Sequence, residues 1–551
     1  MSYKDKYNLW ISQNEIDSEI KNDLLKLNED EIKECFYKDL DFGTGGLRGL
    51  MGPGTNRINI YTIRKVTQGL ANYMIKHQLS EKGVAISYDN RKNSKNFAYE
   101  AAKVLAANHI KSYIYRDLRP TPMLSFAVRK FECGAGIMIT ASHNPKEYNG
   151  YKVYNKQGAQ LNIKQADEVI SYVNKVSDPF KVYSLESNLI TWIEEDFDQI
   201  YLDEVKKIKI NDVLKTAKIV YSPLHGTGGT VIPKFLKQQG YDVYPYEPQM
   251  IVDPEFSNTE SSNPEEKKAF NRTIEYAKKI NADIILVTDP DADRLGIAVL
   301  NNNEYQLLNG NQTASMMLEY ILESARKNGS IHKNGIVFST IVSTPLIEAI
   351  ANKYEQKYVT TLTGFKFIGE QAELTKNEYN YTFGSEESYG SLVSPFVRDK
   401  DAVQAVYLLS EMACYVKEKN LTLVEYMEQI YKKYGYFFEY TENISLKGIE
   451  GSQKIEKIMT YYRKNGLNLK NYQKGFVNDY QEQKYEIKPE IELPKSNVLK
   501  YFFDQFWVVL RPSGTEPKLK IYYGSNADTL EKAQEIIQNI NQEILKQINE
   551  L

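Results

Sequence analysis

The chain has 551 residues, 42% of them hydrophobic and 26% charged, and a formal net charge of -3. That length predicts about three to five domains with ample core, and the near-neutral balance offers no global basic surface to nucleic acid, so anion binding has to come from local sites. Cys35, Cys133 and Cys414 are scattered and odd in number, which excludes a disulfide framework and zinc spacing and points to a reducing compartment. The N-terminus Met1-Ser-Tyr-Lys-Asp-Lys lacks the apolar core of a signal peptide, and no run approaches the ~18 apolar residues of a membrane span. A cytoplasmic protein with no membrane or nucleic-acid partner is expected.

Residues 1 to about 40 read as helical packing, with Ile16, Ile20, Leu24 and Leu27 at helical spacing. Asp41-Phe-Gly-Thr-Gly-Gly-Leu-Arg48-Gly follows. It fails as a dinucleotide loop, because Arg48 stands where the last glycine belongs and no strand is predicted before it. A glycine-rich turn presenting one arginine suits a phosphate; a solvated surface turn is the bland alternative.

From 60 to 160 helix and strand alternate, predicting a mostly parallel α/β sheet whose functional loops gather at the carboxyl ends of its strands. Asp89, Arg91 and Ser142 fall at such ends. Ser142 lies in Thr140-Ala-Ser-His-Asn-Pro-Lys-Glu-Tyr-Asn-Gly-Tyr-Lys152, read as a loop between two short strands. No Gly-x-Ser-x-Gly elbow surrounds it, which speaks against acyl transfer. Taken alone it is an ordinary turn serine.

A polar segment at 175 to 212 reads as a bridge. Beyond it, Ser222-Pro-Leu-His-Gly-Thr-Gly-Gly229 is a loop entering a helix, able to bind an anion or to serve packing alone, and without a P-loop lysine. The strand Asp283-Ile-Ile-Leu-Val-Thr then runs into Asp289-Pro-Asp291-Ala-Asp293-Arg294. Three carboxylates at alternating positions converge if the loop curls, and hard oxygens so placed suit Mg²⁺. Calcium of the EF-hand kind is excluded, since Arg294 and Leu300 stand where its glycine and glutamate belong. A strand-borne Asp-x-Asp also occurs in haloacid-dehalogenase-type phosphatases, but their pattern continues to Thr or Val where this chain has Asp293.

Residues 311 to 435 read as a third α/β unit with three polar loops. These are Thr361-Leu-Thr-Gly-Phe-Lys366, Phe383-Gly-Ser-Glu-Glu-Ser-Tyr-Gly390 and Arg398-Asp-Lys-Asp401. Two carboxylates and a hydroxyl in the second can bind adjacent hydroxyls of a polyol. A glycosidase pair is set aside, because Glu386 and Glu387 are neighbours and cannot easily flank one bond. About 440 to 490 reads as a charged, irregular linker with small elements. Near the end, Arg511-Pro-Ser-Gly-Thr-Glu-Pro-Lys518 joins two strands and offers an arginine, hydroxyls and free N–H groups as an anion nest.

Together the loops Thr140-Ala-Ser-His-Asn-Pro, Asp289-Pro-Asp-Ala-Asp-Arg, Glu386-Glu-Ser and Arg511-Pro-Ser-Gly-Thr resemble the α-D-phosphohexomutase superfamily, in the family's order and over most of the chain. Phe42-Gly-Thr-Gly-Gly-Leu-Arg48, Thr361-Leu-Thr-Gly-Phe-Lys366 and Arg398-Asp-Lys-Asp401 look most like its phosphoglucomutase/phosphopentomutase branch. The resemblance implies an α/β fold: three related mixed-sheet domains (1–205, 206–310, 311–440) and a smaller C-terminal α+β domain (441–551) around a central cleft. It implies a phosphorylated Ser142, Mg²⁺ held by that serine with Asp289, Asp291 and Asp293, and Lys152 as general acid/base. Arg48, His143 and Arg294 would surround the transferring phosphoryl group. Glu386 and Ser388 would take sugar hydroxyls; Arg511, Ser513, Gly514 and Thr515 the other phosphate; Lys366 and Lys400 would contact substrate.

The implied reaction is interconversion of glucose 1-phosphate and glucose 6-phosphate through glucose 1,6-bisphosphate. A phosphosugar is then the partner, and the chain a monomer or homodimer. Lys152 has to be neutral to act as base, and burial among cations would lower its pKa. Gly514 replaces the asparagine of some phosphomannomutases and leans toward glucose, while Gly384-Ser385 before Glu386 departs from the usual Gly or Phe. Phosphopentomutase, phosphomannomutase, bisphosphate synthase and a non-catalytic sugar-phosphate regulator are the alternatives.

Overall fold

The structure is a computed structural model that describes residues 1–551 apart from Glu15, Thr44, Lys447, Lys474 and Gly514 to Glu516, and the side chains of Gly448 and Ile449. Its residues divide into two compact units: Met1–Leu308 with Phe365–Asn377 and Tyr389–Thr422, and Asn309–Gly364 with Glu378–Ser388 and Leu423–Leu551.

The first unit opens with three short helices, Tyr3–Ile11, Ser18–Lys26 and Glu29–Phe36, each capped at its start by the side chain of Ser2, Asp17 or Asn28. Ile16 therefore lies before the second helix and not on it. The helices bury Trp10, Leu24 and Phe36 against Tyr61. Next comes a seven-stranded sheet of β1 (Phe42–Gly43), β2 (Gly46–Leu50), β3 (Val84–Tyr88), β4 (Ser112–Tyr115), β5 (Ala135–Ile139), β6 (Tyr148–Asn155) and β7 (Ile190–Ile193). Its order is β1-β2-β6-β5-β3-β4-β7.

Every residue of β3 and β5 is buried, as expected of strands covered on both faces. Helices including Ile60–Lys76 and Ser94–Ala107 pack on the sheet through Val66, Leu70, Ala101 and Leu105. The sheet is mixed: β5, β3, β4 and β7 pair in parallel, but β6 runs antiparallel to both β5 and β2. The chain reverses between β5 and β6 in the Ser142 loop, and no helix intervenes.

A five-stranded sheet completes this unit: β8 (Lys218–Ser222), β9 (Asp242–Pro245), β10 (Ile284–Thr288), β11 (Leu295–Asn301) and β12 (Glu304–Leu308), in the order β12-β11-β10-β8-β9. Thr288 pairs with Leu295 across the antiparallel β10/β11 ladder, so residues 289–294 form the tight connection between them.

In the second unit β13 (Gly335–Thr340) lies parallel to β14 (Lys357–Thr361) and β15 (Asn380–Ser385). β16 (Ser391–Leu392) and the helix Ala402–Glu418 belong to the first unit. The second unit ends in a six-stranded antiparallel sheet of β17 (Tyr436–Ser445), β18 (Phe476–Asp479), β19 (Lys484–Tyr485), β20 (Leu499–Phe502), β21 (Phe506–Pro512) and β22 (Lys518–Ala527), ordered β17-β22-β21-β20-β18-β19. The helices Gly448–Asn465 and Leu530–Glu550 cover it, burying Ile458, Tyr462, Ile537 and Ile544.

Two expectations are corrected. The segment read as a polar bridge carries β7 and the helix Asp196–Lys206, whose Phe197, Tyr201, Leu202 and Val205 are buried. The segment read as an irregular linker at 440 to 490 carries most of β17, an 18-residue helix, β18 and β19. In both, dense polar residues hid a narrow apolar face. Among the described residues no helix is long and apolar enough to cross a membrane.

Candidate active site

β5 ends at Ile139, and the backbone turns at Ser142 with φ of +52°. A non-glycine residue in the left-handed region is strained, so its surroundings must hold it there. Arg91, fully buried, does this with all five of its N–H donors. Nε donates to Asp89 Oδ2 at 3.1 Å. Nη1 donates to the carbonyls of Pro145 (2.7 Å) and Tyr148 (3.1 Å), and Nη2 to those of Ser142 (2.6 Å) and Asn144 (2.5 Å). Asp89 is fixed in turn by the hydroxyls of Ser94 and Thr140, each donating at 2.7 Å. The sequence marked Asp89 and Arg91 by position alone; the structure makes them the frame of the serine loop.

Ser142 Oγ donates to Asp289 Oδ2 at 2.8 Å and lies 3.3 Å from His143 Nδ1. Asp289 Oδ1 accepts the N–H groups of Asp293 and Arg294 at 3.1 and 3.0 Å, curling the loop. Oxygens of Asp289, Asp291 and Asp293 then come within 4.8 Å of one another, all buried. Burial, and then the charges of Asp291 and Asp293, push the Asp289 carboxyl well above its ordinary value. Asp291 Oδ1 and Asp293 Oδ1 are buried with no hydrogen-bond partner among the described residues. Orphaned carboxylate oxygens beside a carboxyl that resists ionisation fit a hard divalent cation, and the cluster can hold one.

Lys152 reaches this cluster from β6. Its Nζ lies 2.7 Å from Asp291 Oδ2 and 3.4 Å from Asp293 Oδ2. Burial alone would lower its pKa, but Asp291 and Asp293 outweigh burial and raise it. This corrects the expectation of a depressed lysine: here the nearest neighbours are anions, and Lys152 stands as an ammonium. Lys400 Nζ lies 3.2 Å from Asp293 Oδ2. A Cβ on Gly390 would meet its stem at 2.0 Å, so only glycine lets that lysine through. Thr121, at the start of the helix Thr121–Lys130, donates its N–H to the Asp291 carbonyl at 2.9 Å and its hydroxyl to Asp291 Oδ2 at 3.0 Å. Nothing in the sequence singled it out.

Arg48 sits on β2 and not in the glycine turn, which is the hairpin connection of β1 and β2. It pairs with Gly150 across β6, and its Nη1 donates to Asn144 Oδ1 at 3.0 Å. Burial, with the charges of Arg294 and Arg48, pulls the His143 imidazole well below its ordinary pKa, so it is neutral at pH 7. Arg294 Nη1 is 2.5 Å from Glu265 Oε1. The glycine loop at 226–229 packs on the aspartate loop: the Thr227 N–H donates to the Pro290 carbonyl at 2.7 Å, and a Cβ on Gly226 would lie 2.3 Å from Pro290 Cα.

Lys366 lies on the first turn of the helix Phe365–Leu374 in the first unit, and burial lowers its ammonium to about 8. In the second unit Glu386 is buried and accepts the Gly364 N–H at 2.9 Å, with Ser388 two residues on. Glu387 is a brace, accepting the Thr340 hydroxyl at 2.8 Å. Arg511 is the penultimate residue of β21, its Nη1 donating to the Tyr522 hydroxyl at 3.2 Å, and the Ser513 N–H donates to the Lys518 carbonyl at 2.7 Å. Gly514 and Thr515 lie outside the described residues. The first unit thus brings together Ser142, His143, Lys152, Arg48, Arg294, Lys400 and the three aspartates; Glu386, Ser388, Arg511 and Ser513 belong to the second.

Models of the phosphoglucomutase/phosphomannomutase family match in sequence: alpha/beta/alpha domain I at 39–179, domain II at 199–302, domain III at 309–434 and the C-terminal domain at 463–542. A curated phosphoglucomutase of Staphylococcus aureus (strain MRSA252) is 38% identical over 526 residues, 93% of this chain and 94% of the relative. The chain belongs to the phosphoglucomutase/phosphomannomutase family. Its fold is the family's, three α/β domains with mixed sheets and a C-terminal domain with an antiparallel sheet. Membership makes it an isomerase of the phosphotransferase kind. Solved structures share the fold at low identity. The phosphoglucomutase pp63/parafusin of Paramecium, in open form, superposes with a TM-score of 0.68 at 18% identity, covering 93% of this chain and 96% of that one. An N-acetylphosphoglucosamine mutase of Aspergillus fumigatus, crystallised with GlcNAc-6P and magnesium, gives 0.51 at 15%, covering 92% of this chain and 96% of that one.

Proposed function

We propose that the protein is a phosphoglucomutase that interconverts glucose 1-phosphate and glucose 6-phosphate through a phosphorylated Ser142 and glucose 1,6-bisphosphate. The contact of Ser142 Oγ with Asp289 at 2.8 Å carries this reading, because it joins a strained hydroxyl to a cluster fit for a cation. Asp289, Asp291 and Asp293 would hold Mg²⁺ with an oxygen of the serine phosphate. When bound, Mg²⁺ supplies charge neutralisation for phosphoryl transfer.

In the forward direction the P–O bond to Ser142 Oγ breaks as a new one forms to O6 of glucose 1-phosphate. The O6 proton passes to Lys152, which has to lose its own proton first; Asp291 and Asp293 hold it charged until their charge is offset. The C1 phosphoryl group then returns to Ser142, leaving glucose 6-phosphate. Arg48, Arg294 and the neutral His143 would surround the transferring phosphoryl group and oppose its charge. Lys366 and Lys400 are assigned to substrate contact, Glu386 and Ser388 to sugar hydroxyls, and Arg511, Ser513, Gly514 and Thr515 to the second phosphate. Three buried, unpaired cysteines support a cytoplasmic setting, and light scattering decides between monomer and homodimer.

Ser142→Ala is expected to abolish turnover in a coupled assay from glucose 1-phosphate; near-normal activity would sink the mechanism. Parallel assays with mannose and ribose 1-phosphates test the sugar, and comparable rates on either would overturn the preference for glucose.

A further inference from the structure

We propose that Glu265 is the positioning residue of Arg294, drawing its guanidinium off the metal-binding carboxylates and aiming it at the phosphoryl group on Ser142. This rests on the reading of Ser142 and Arg294 given above. Arg294 follows Asp293 directly, and its Nε already lies 3.8 Å from Asp293 Oδ1. A long cation beside a buried carboxylate collapses onto it unless a second anion competes. Glu265 supplies that anion at 2.5 Å from Nη1. The Arg294 side chain is 18% exposed and that of Glu265 33%, so solvent screens the pair only in part.

Glu265 is itself held in place. Its N–H donates to Asn263 Oδ1 at 3.1 Å, and the Glu266 N–H donates to the Asn263 carbonyl at 3.0 Å. Pro264 packs closely on β11, where a Cβ on Gly296 would meet its carbonyl oxygen at 2.4 Å. Three residues before Glu265, the Ser262 hydroxyl lies 3.0 Å from the His143 carbonyl and 3.2 Å from that of Asn144. One short segment therefore touches both the loop that carries the nucleophile and the arginine whose charge acts on His143 beside it. A carboxylate at position 265 fixes where that arginine points relative to Ser142, and leaves Asp293 available to the cation.

The test compares Glu265→Gln, Arg294→Lys and the double variant. With Glu265→Gln, kcat is expected to fall about tenfold or more while KM for glucose 1-phosphate moves less than about threefold. Mg²⁺ binding, measured by calorimetry without substrate, is expected to weaken several-fold as Arg294 turns to Asp293. The double variant is expected to be no slower than Arg294→Lys alone, since Glu265 acts only through that arginine. Losses that multiply in the double variant, or unchanged Mg²⁺ affinity in Glu265→Gln, overturn the proposal and leave the reading of Ser142 standing. Full turnover in Ser142→Ala removes that reading, and this proposal with it.

Discussion

Lys152 Nζ lies 2.7 Å from Asp291 Oδ2, inside the cluster of carboxylates that is built for a cation. The ammonium and a divalent ion thus draw on the same oxygens. Lys152→Met keeps the length of the side chain and removes the competing charge. Divalent binding is expected to tighten by about three- to tenfold, while turnover falls by about a hundredfold or more. Calorimetric titration of the variant with Mg²⁺, beside the coupled assay, checks both; weaker binding would show that the lysine assists the cluster and does not compete with it.

Arg91 satisfies four carbonyls of the serine loop and Asp89 with one planar group. Lysine offers three donors from a single point and cannot reach acceptors spread over that plane. Arg91→Lys is therefore expected to relax Ser142 from its left-handed turn. A shift of about 1 Å in a reacting atom costs about a hundredfold in rate. The expected signature is a kcat reduced to that extent with KM nearly unchanged. Mass spectrometry should show slower phosphorylation of Ser142 by glucose 1,6-bisphosphate. Loading at the normal rate would dismiss Arg91 as the frame of this loop.

Residues in compact polar loops were legible in the sequence because unusual types crowd together there: Ser142 with His143 and Lys152, and the three aspartates with Arg294. Their partners were not. Glu265 and Thr121 lie far from the residues they serve, and neither stands out by its neighbours in the chain. The charge state of Lys152 was misread for a related reason: its own loop carries the basic residues His143 and Lys146, yet the carboxylates its ammonium meets come from Asp291 and Asp293, 139 and 141 residues further on. The overlooked helix at Gly448–Asn465 is different, because its signal was present. Ile455, Ile458, Met459 and Tyr462 fall at i, i+3, i+4 and i+7 and are all buried. Lysines, glutamates and tyrosines between them masked a one-sided stripe.

Gly46 is fixed by geometry on the other flank of the site. Its φ is +125°, and a Cβ there would lie 1.9 Å from the Tyr151 carbonyl oxygen, one residue before Lys152. The overlap is with backbone, so no side chain can move aside. Gly46→Ala is expected to destabilise the first unit by about 2–4 kcal/mol and to part β2 from β6, displacing Arg48 and Lys152 together. Urea denaturation gives the loss of stability, and kcat should fall in the same variant. A neutral substitution would contradict the pairing of Gly46 with Lys152.

Glu439 offers a test by pH in the second unit. It lies on β17; its Oε2 accepts the Asn311 amide at 3.3 Å, and its Oε1 is buried with no hydrogen-bond partner among the described residues. Burial pushes the carboxyl from its usual 4.5 up to about 7. A carboxyl whose folded pKa is raised favours the fold most below its unfolded value and loses that contribution as pH rises through the folded one. The protein should therefore lose stability from this group between about pH 4.5 and 7, reaching the full cost by pH 8. Glutamine resembles the protonated side chain and cannot ionise. Glu439→Gln is expected to exceed the unmodified protein in stability by up to about 3 kcal/mol at pH 8 and to match it closely near pH 4.5. Denaturation of both proteins at pH 4.5, 6.5 and 8 measures the difference, and one that stayed constant across that range would mean that Glu439 keeps its charge throughout.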